Sequence, residues 1–118
     1  MTPGAFRKLA LRIRGVTEGA HQGHMDFRSN GRIFATLGYP DDAWAMVKLS
    51  QTDQALYLER YPESFVPAAG AWGRRGSTLV RLAAADPKIL APALKFACAH
   101  SASPPTRKRP ATAGRRST

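Results

Sequence analysis

Cysteine occurs once, at Cys98, so no disulfide can form within the chain and a small fold stapled by bridges is excluded. Acidic residues are scarce, 8 against 18 Lys and Arg, which leaves a net charge of +10. A field of that sign attracts polyanions without conferring sequence specificity. Long apolar runs are missing as well: nothing approaches the roughly 20 residues of a membrane helix. Met1 to Arg14 carries charges where a secretory signal needs an apolar centre. The expected compartment is therefore the reducing cytoplasm, with no membrane partner, and Cys98 in its alanine-rich run reads as a small buried hydrophobe. Catalytic sets are lacking too. No nucleophile with a base beside it, and no pair of carboxylates in contrasting surroundings, can be assembled from these residues, so neither an enzyme nor a cofactor is expected.

What is present suits one domain: 118 residues, of which 43% are hydrophobic. The chain is organised around Asp26 to Leu49. Asp26 to Arg28 leads into Asn30-Gly31, the pair that tolerates positive φ in a tight hairpin. Arg32 to Gly38 then alternates, with Ile33, Ala35 and Leu37 expected on the core face and Phe34 and Thr36 opposite. Tyr39-Pro40-Asp41-Asp42 is a turn in which an Asp bonds the backbone ahead of it. Trp44 to Leu49 alternates again, setting Ala45, Val47 and Leu49 against Trp44, Met46 and Lys48.

Around this centre lie helices. Thr2 and Pro3 form a helix start, and Phe6, Leu9, Ala10 and Ile13 recur on one face until about Gly15. Gly15 to Met25 reads as loop by its glycines. Its His21 and His24, with Glu18 and Asp26 nearby, fall short of the three or four ligands of fixed geometry that zinc or iron requires, so no metal is expected. Ser50 with Asp53 three residues on opens a second helix to about Arg60, with Ala55 and Leu58 on its inner face. Phe65-Val66-Pro67 is a short strand, confined to a sheet edge because Pro67 lacks an N–H. Gly70 to Gly76 reads as a hairpin tip bearing Trp72, Arg74 and Arg75, and Ser77 to Leu82 as a fifth strand with Arg81 facing solvent. Asp86-Pro87 opens a last helix with Ile89, Ala93, Phe96 and Ala97 on one face and Pro92 as an interior breaker.

From Ser101 the composition turns to Ser, Pro, Thr, Arg and Lys. Residues 103–118 hold five basic and no acidic residues, so half of the net charge sits in a tail expected to be disordered, with Arg107, Lys108, Arg109, Arg115 and Arg116 as a polyanion-binding arm. The folded domain is expected over residues 1–102.

Four separated strings, His24-Met25-Asp26-Phe27-Arg28, Gly31 to Leu37, Trp44 to Leu49 and Gly70-Ala71-Trp72-Gly73, occur in an order that resembles the MmcQ/YjbR family. The resemblance covers roughly residues 3–100. It implies an α+β fold, a two-layer α/β domain of order αβββαββα. Its five-stranded antiparallel sheet, of order 1-2-3-5-4, carries helices on one face. It also implies the DNA-binding role ascribed to such double-wing domains, with no settled catalytic activity. By motif, His24, Asp26, Phe27, Phe34, Trp44, Lys48, Trp72 and Gly73 carry over as the positions of interest. Arg74-Arg75 and the basic tail depart from the pattern.

Two readings of function follow. In the first, Arg28, Lys48 and Arg81 on the open sheet face, together with Trp72, Arg74 and Arg75 and the tail, bind nucleic acid largely without sequence preference, DNA being the expected partner. In the second, His24, Trp44 and Trp72 line a pocket for a small ligand or a protein partner.

Overall fold

The computed structural model describes residues 1–102. The tail and its five basic residues lie outside the described residues. The Thr2 hydroxyl accepts from the Ala5 amide at 3.1 Å and starts α1 (Pro3–Leu11), whose Phe6 and Ala10 are fully buried. There follow β1 (Thr17–His21), β2 (His24–Ser29), β3 (Arg32–Leu37), β4 (Trp44–Lys48), α2 (Gln51–Arg60), β5 (Phe65–Pro67), α3 (Gly70–Arg74), β6 (Ser77–Arg81), a 3-10 turn at Leu82–Ala84, and α4 (Pro87–Ala102). The strands form one antiparallel sheet in the order β1-β2-β3-β4-β6-β5.

The sheet thus has six strands rather than five. The additional one, β1, lies in the stretch expected to be loop, and it pairs with β2 across a two-residue turn whose Gln22 and Gly23 both have positive φ, 51° and 81°. This is the geometry of the Asn30-Gly31 turn, where φ is 53° and 77°. With β1 set aside, the remaining order is the expected one, and β5 takes the edge position that Pro67 requires.

The core lies between the sheet and α1, α2 and α4. Ala45, Val47 and Leu49 point into it, as the alternation of β4 predicts. On β3 the alternation fails: Phe27 partners Ala35 and Arg28 partners Ile33, so Phe34 has no partner of its own. This bulge turns Phe34 and Ala35 both into the core and sends Ile33 to the opposite face. Two helix faces also differ from expectation. On α2 the buried positions are Gln54 and Tyr57, while Ala55 is exposed. On α4 the inner stripe is Leu90, Ala93, Leu94 and Ala97, at spacings of three and four, and Phe96 is turned to solvent. The helix begins at Pro87 and runs through Pro92, which is exposed, so its missing N–H falls on the wet side.

The connection between β5 and β6 is a short helix rather than a loop. Two side chains of α2 receive it: Gln54 Nε2 donates to the carbonyls of Gly73 (2.8 Å) and Ser77 (3.2 Å), and Gln51 Nε2 to that of Arg74 (2.7 Å). The Gly73 and Arg74 carbonyls lie at the C-terminus of α3, where helical acceptors run out of i+4 partners, and the Ser77 carbonyl, at the start of β6, also accepts from the Ala68 amide at 3.0 Å. Gly73 permits the close approach, because a Cβ there would stand 1.9 Å from the Ala68 carbonyl oxygen.

Candidate functional site: the uncovered face of the sheet

Cross-strand partners share a face, and the register sets Gly19, Asp26, Thr36, Met46, Leu79 and Val66 in one row across the six strands, on the side away from α1, α2 and α4. The next positions along β2, β4 and β6 add Arg28, Trp44, Lys48 and Arg81 to that side. Arg28, Lys48 and Arg81 therefore do share the open face.

Their surroundings differ. Arg28 is occupied: its Nε donates to Asp26 Oδ1 at 2.7 Å and its Nη2 to Oδ2 at 3.1 Å. His21 Nδ1 meets the same carboxylate at 2.7 Å, so Asp26, with no exposed surface, is held between two side chains. The Arg28 guanidinium holds the Asp26 carboxyl below the usual carboxylate range, with help from His21, against burial that pushes it up. Gly19 makes the arrangement possible, since a Cβ there would lie 2.9 Å from Asp26 Oδ1 and 3.0 Å from Arg28 Nε. Arg81 lies over the Trp44 ring, 4.5 Å from its centroid, and Lys48 Nζ stands 6.0 Å from the centroid of Trp72.

Beside His21, Lys48 and Trp72 is a cleft of about 250 Å³. Ile33, Thr36 and Met46 contribute to its lining from the sheet. Lys48 and Trp72 stand together in its wall, and so do His21, His24 and Tyr39, the last two in an edge-to-face contact with centroids 5.8 Å apart. Among the described residues no carboxylate lines it. Of the expected pocket residues, His24 and Trp72 are there and Trp44 is not, because it faces Arg81 instead. Trp72 is 60% exposed, a large ring left uncovered at the rim.

Arg74 and Arg75 are both exposed at the end of α3. The positive charge is not confined to the open face: α1 carries Arg7 and Lys8, the turn after it carries Arg12 and Arg14, and α4 carries Lys88 and Lys95. Arg7 is engaged on that side by Glu18, at 2.7 and 2.9 Å.

His21, Thr36 and Tyr39 join the site without having been singled out for it. His21 required β1, which the glycines concealed; Asp26 and Arg28, two apart on one strand, had a readable signal in the period of the strand itself. Among the described residues no three His, Cys, Asp or Glu side chains gather as metal ligands, and no helix is long and apolar enough to cross a membrane.

Fold and site define an α+β protein with an antiparallel sheet whose free face carries a small aromatic cleft. Neither a family model nor a curated protein matches the sequence. Among solved structures, the chain is similar to the crystal structure of Deinococcus radiodurans protein DR2400, a DUF419 domain. That match has a TM-score of 0.66 at 14% identity, over 81% of this chain and 75% of that one. At that identity the likeness shows the shared fold, and fold alone does not assign an activity.

Proposed function

We propose that the protein is a nucleic-acid-binding module of the MmcQ/YjbR type, acting through the uncovered sheet face and largely without sequence preference. DUF419, the domain of the structural neighbour, is related to that family, which supports the kinship. The observation that carries the function is the pairing on the free face of two cations with two indole rings, Arg81 over Trp44 and Lys48 beside Trp72, with no carboxylate in the cleft between His24 and Trp72. Cations of this kind meet phosphates, and exposed aromatic faces meet unpaired bases. Arg28 serves the scaffold first, its Nε and one N–H of Nη2 being given to Asp26, which leaves its other N–H groups outside that pair. Arg74 and Arg75 extend the positive rim next to Trp72, and residues 103–118 add a further +5.

The test is a salt series with the full chain on single-stranded and duplex DNA. Affinity should fall along a straight line in the logarithm of salt concentration, with a slope of about −0.7 per phosphate contacted on a single strand and about −0.9 on a duplex. Changing Arg74 and Arg75 together to Ala should flatten that slope by one to two contacts. Absence of binding at low salt, or binding indifferent to salt, would refute the reading. The cleft itself favours a second reading, a small-ligand module, which predicts saturable binding of a small molecule with little dependence on salt.

A further inference from the structure

The cleft is smaller than the roughly 300–1,000 Å³ of pockets that enclose a drug-sized ligand. At about 250 Å³ it has room for one ring system, with whatever that ring is attached to left outside. Its chemistry narrows the occupant further. Trp72 offers an uncovered indole, and an exposed ring of that size beside a cleft is a stacking surface in want of a partner. Lys48 stands next to it, and among the described residues no acidic side chain lines the cleft, the Asp26 carboxylate behind it being engaged by Arg28 and His21. Elsewhere in the wall, His21 gives its Nδ1 to Asp26, which leaves Nε2 as the nitrogen available to a ligand and fixes the orientation of the ring. His24, the Tyr39 hydroxyl and Thr36 add polar groups able to meet the edge of a heterocycle.

We propose that the cleft receives the base of a single unpaired nucleotide, stacked on Trp72 with its phosphate beside Lys48 and its polar edge toward His21 and His24. This rests on the nucleic-acid reading where the nucleotide is part of a strand; a free mononucleotide offers the same chemistry. Stacked bases of a duplex present no free ring face, so the cleft makes the protein discriminate in favour of single strands.

The experiment uses the full chain, with labelled dT12 and a duplex of equal phosphate number, followed by fluorescence anisotropy. Trp72→Ala should weaken dT12 binding roughly 5- to 160-fold, the range that loss of one stacking aromatic produces, while duplex binding changes less than twofold. Trp72→Phe should recover most of the loss, which a merely structural role would not predict. In a Trp44→Phe background, Trp72 is the remaining tryptophan, and its emission should be quenched by dT12. Should Trp72→Ala leave dT12 binding unchanged, or weaken strand and duplex alike, the cleft is not a base site, although salt-dependent binding would leave the nucleic-acid reading standing. Quenching by thymidine monophosphate with no binding to any DNA would keep the base site and refute the nucleic-acid reading. Quenching by neither overturns the proposal.

Discussion

Replacing Asp26 by Asn tests the electrostatic arrangement under the site. The substitution keeps the shape and removes the charge from a side chain that has no exposed surface and accepts three hydrogen bonds of 2.7, 2.7 and 3.1 Å. The Asn oxygen can still serve Arg28 Nε, but its amide nitrogen then faces Arg28 Nη2, donor against donor, and His21 must change tautomer to accept from it. Hydrogen bonds to a charged group contribute about 1.5–3 kcal/mol each, part of which is offset because burying a neutral amide costs less than burying a carboxylate. Arg28 is partly exposed and can turn to solvent, so the net loss should be about 2–3 kcal/mol, and Tm should fall by roughly 8–20 °C for a domain of this size. The sign with pH is fixed by the lowered carboxyl. Stability from Asp26 is complete above its unfolded value of about 4 and is lost as pH falls through the still lower folded value. Urea unfolding of both proteins at pH 7 and at pH 3 therefore should show a gap that narrows in acid. A gap of the same size at both pH values would mean that shape, not charge, causes the loss. No gap at either would mean that the carboxylate contributes nothing to the fold.

Three further outcomes are expected. Gly73→Ala places a methyl 1.9 Å from the Ala68 carbonyl oxygen, a backbone atom that cannot swing away, so it should cost more than about 3 kcal/mol in urea unfolding, whereas Ala at the exposed neighbour Trp72 should leave the midpoint almost unchanged. Phe27→Ala removes a fully buried ring that meets Phe6 at a centroid distance of 6.0 Å and should cost about 3–5 kcal/mol by the same measurement. Pro92→Ala restores an amide to the exposed side of α4 and should stabilise the protein by up to about 3 kcal/mol, read as a higher Tm; a lower Tm would show that the ring is packed rather than merely tolerated.

Much of the architecture was legible where local chemistry and tertiary packing agree. The turn at Asn30-Gly31, the alternation of Ala45, Val47 and Leu49, and the helix starts at Thr2, Ser50 and Asp86 all follow from side chains acting on their own neighbourhood. What escaped has non-local causes. The strand Thr17–His21 has no apolar alternation, because it is an edge strand with Glu18 drawn to Arg7 and Gly19 left bare under Asp26 and Arg28. Phe34 changed faces because of a bulge that no period in the sequence encodes. The helix Gly70–Arg74 is too short and glycine-rich to announce itself, and it depends on Gln51 and Gln54 of another element. At the site, His24 and Trp72 line one cleft as expected of the pocket, Lys48 joins them from the set expected on the open face, Trp44 stays on that face beside Arg81 instead of entering the cleft, and His21 was missed, since each position depends on which strand lies alongside.

The neighbours Gly73 and Trp72 divide labour within a single turn of helix. Gly73 is clamped to the carbonyl of Ala68 and tied to Gln54, while the ring beside it projects into water. Because the anchor and the contacting tip are separate residues, the tip can be exchanged for another aromatic, an aliphatic or a charged side chain without disturbing what holds it. The scaffold is thus a handle that accepts different tools, and preference for one kind of guest over another can be altered at a single codon with the folding stability left almost untouched.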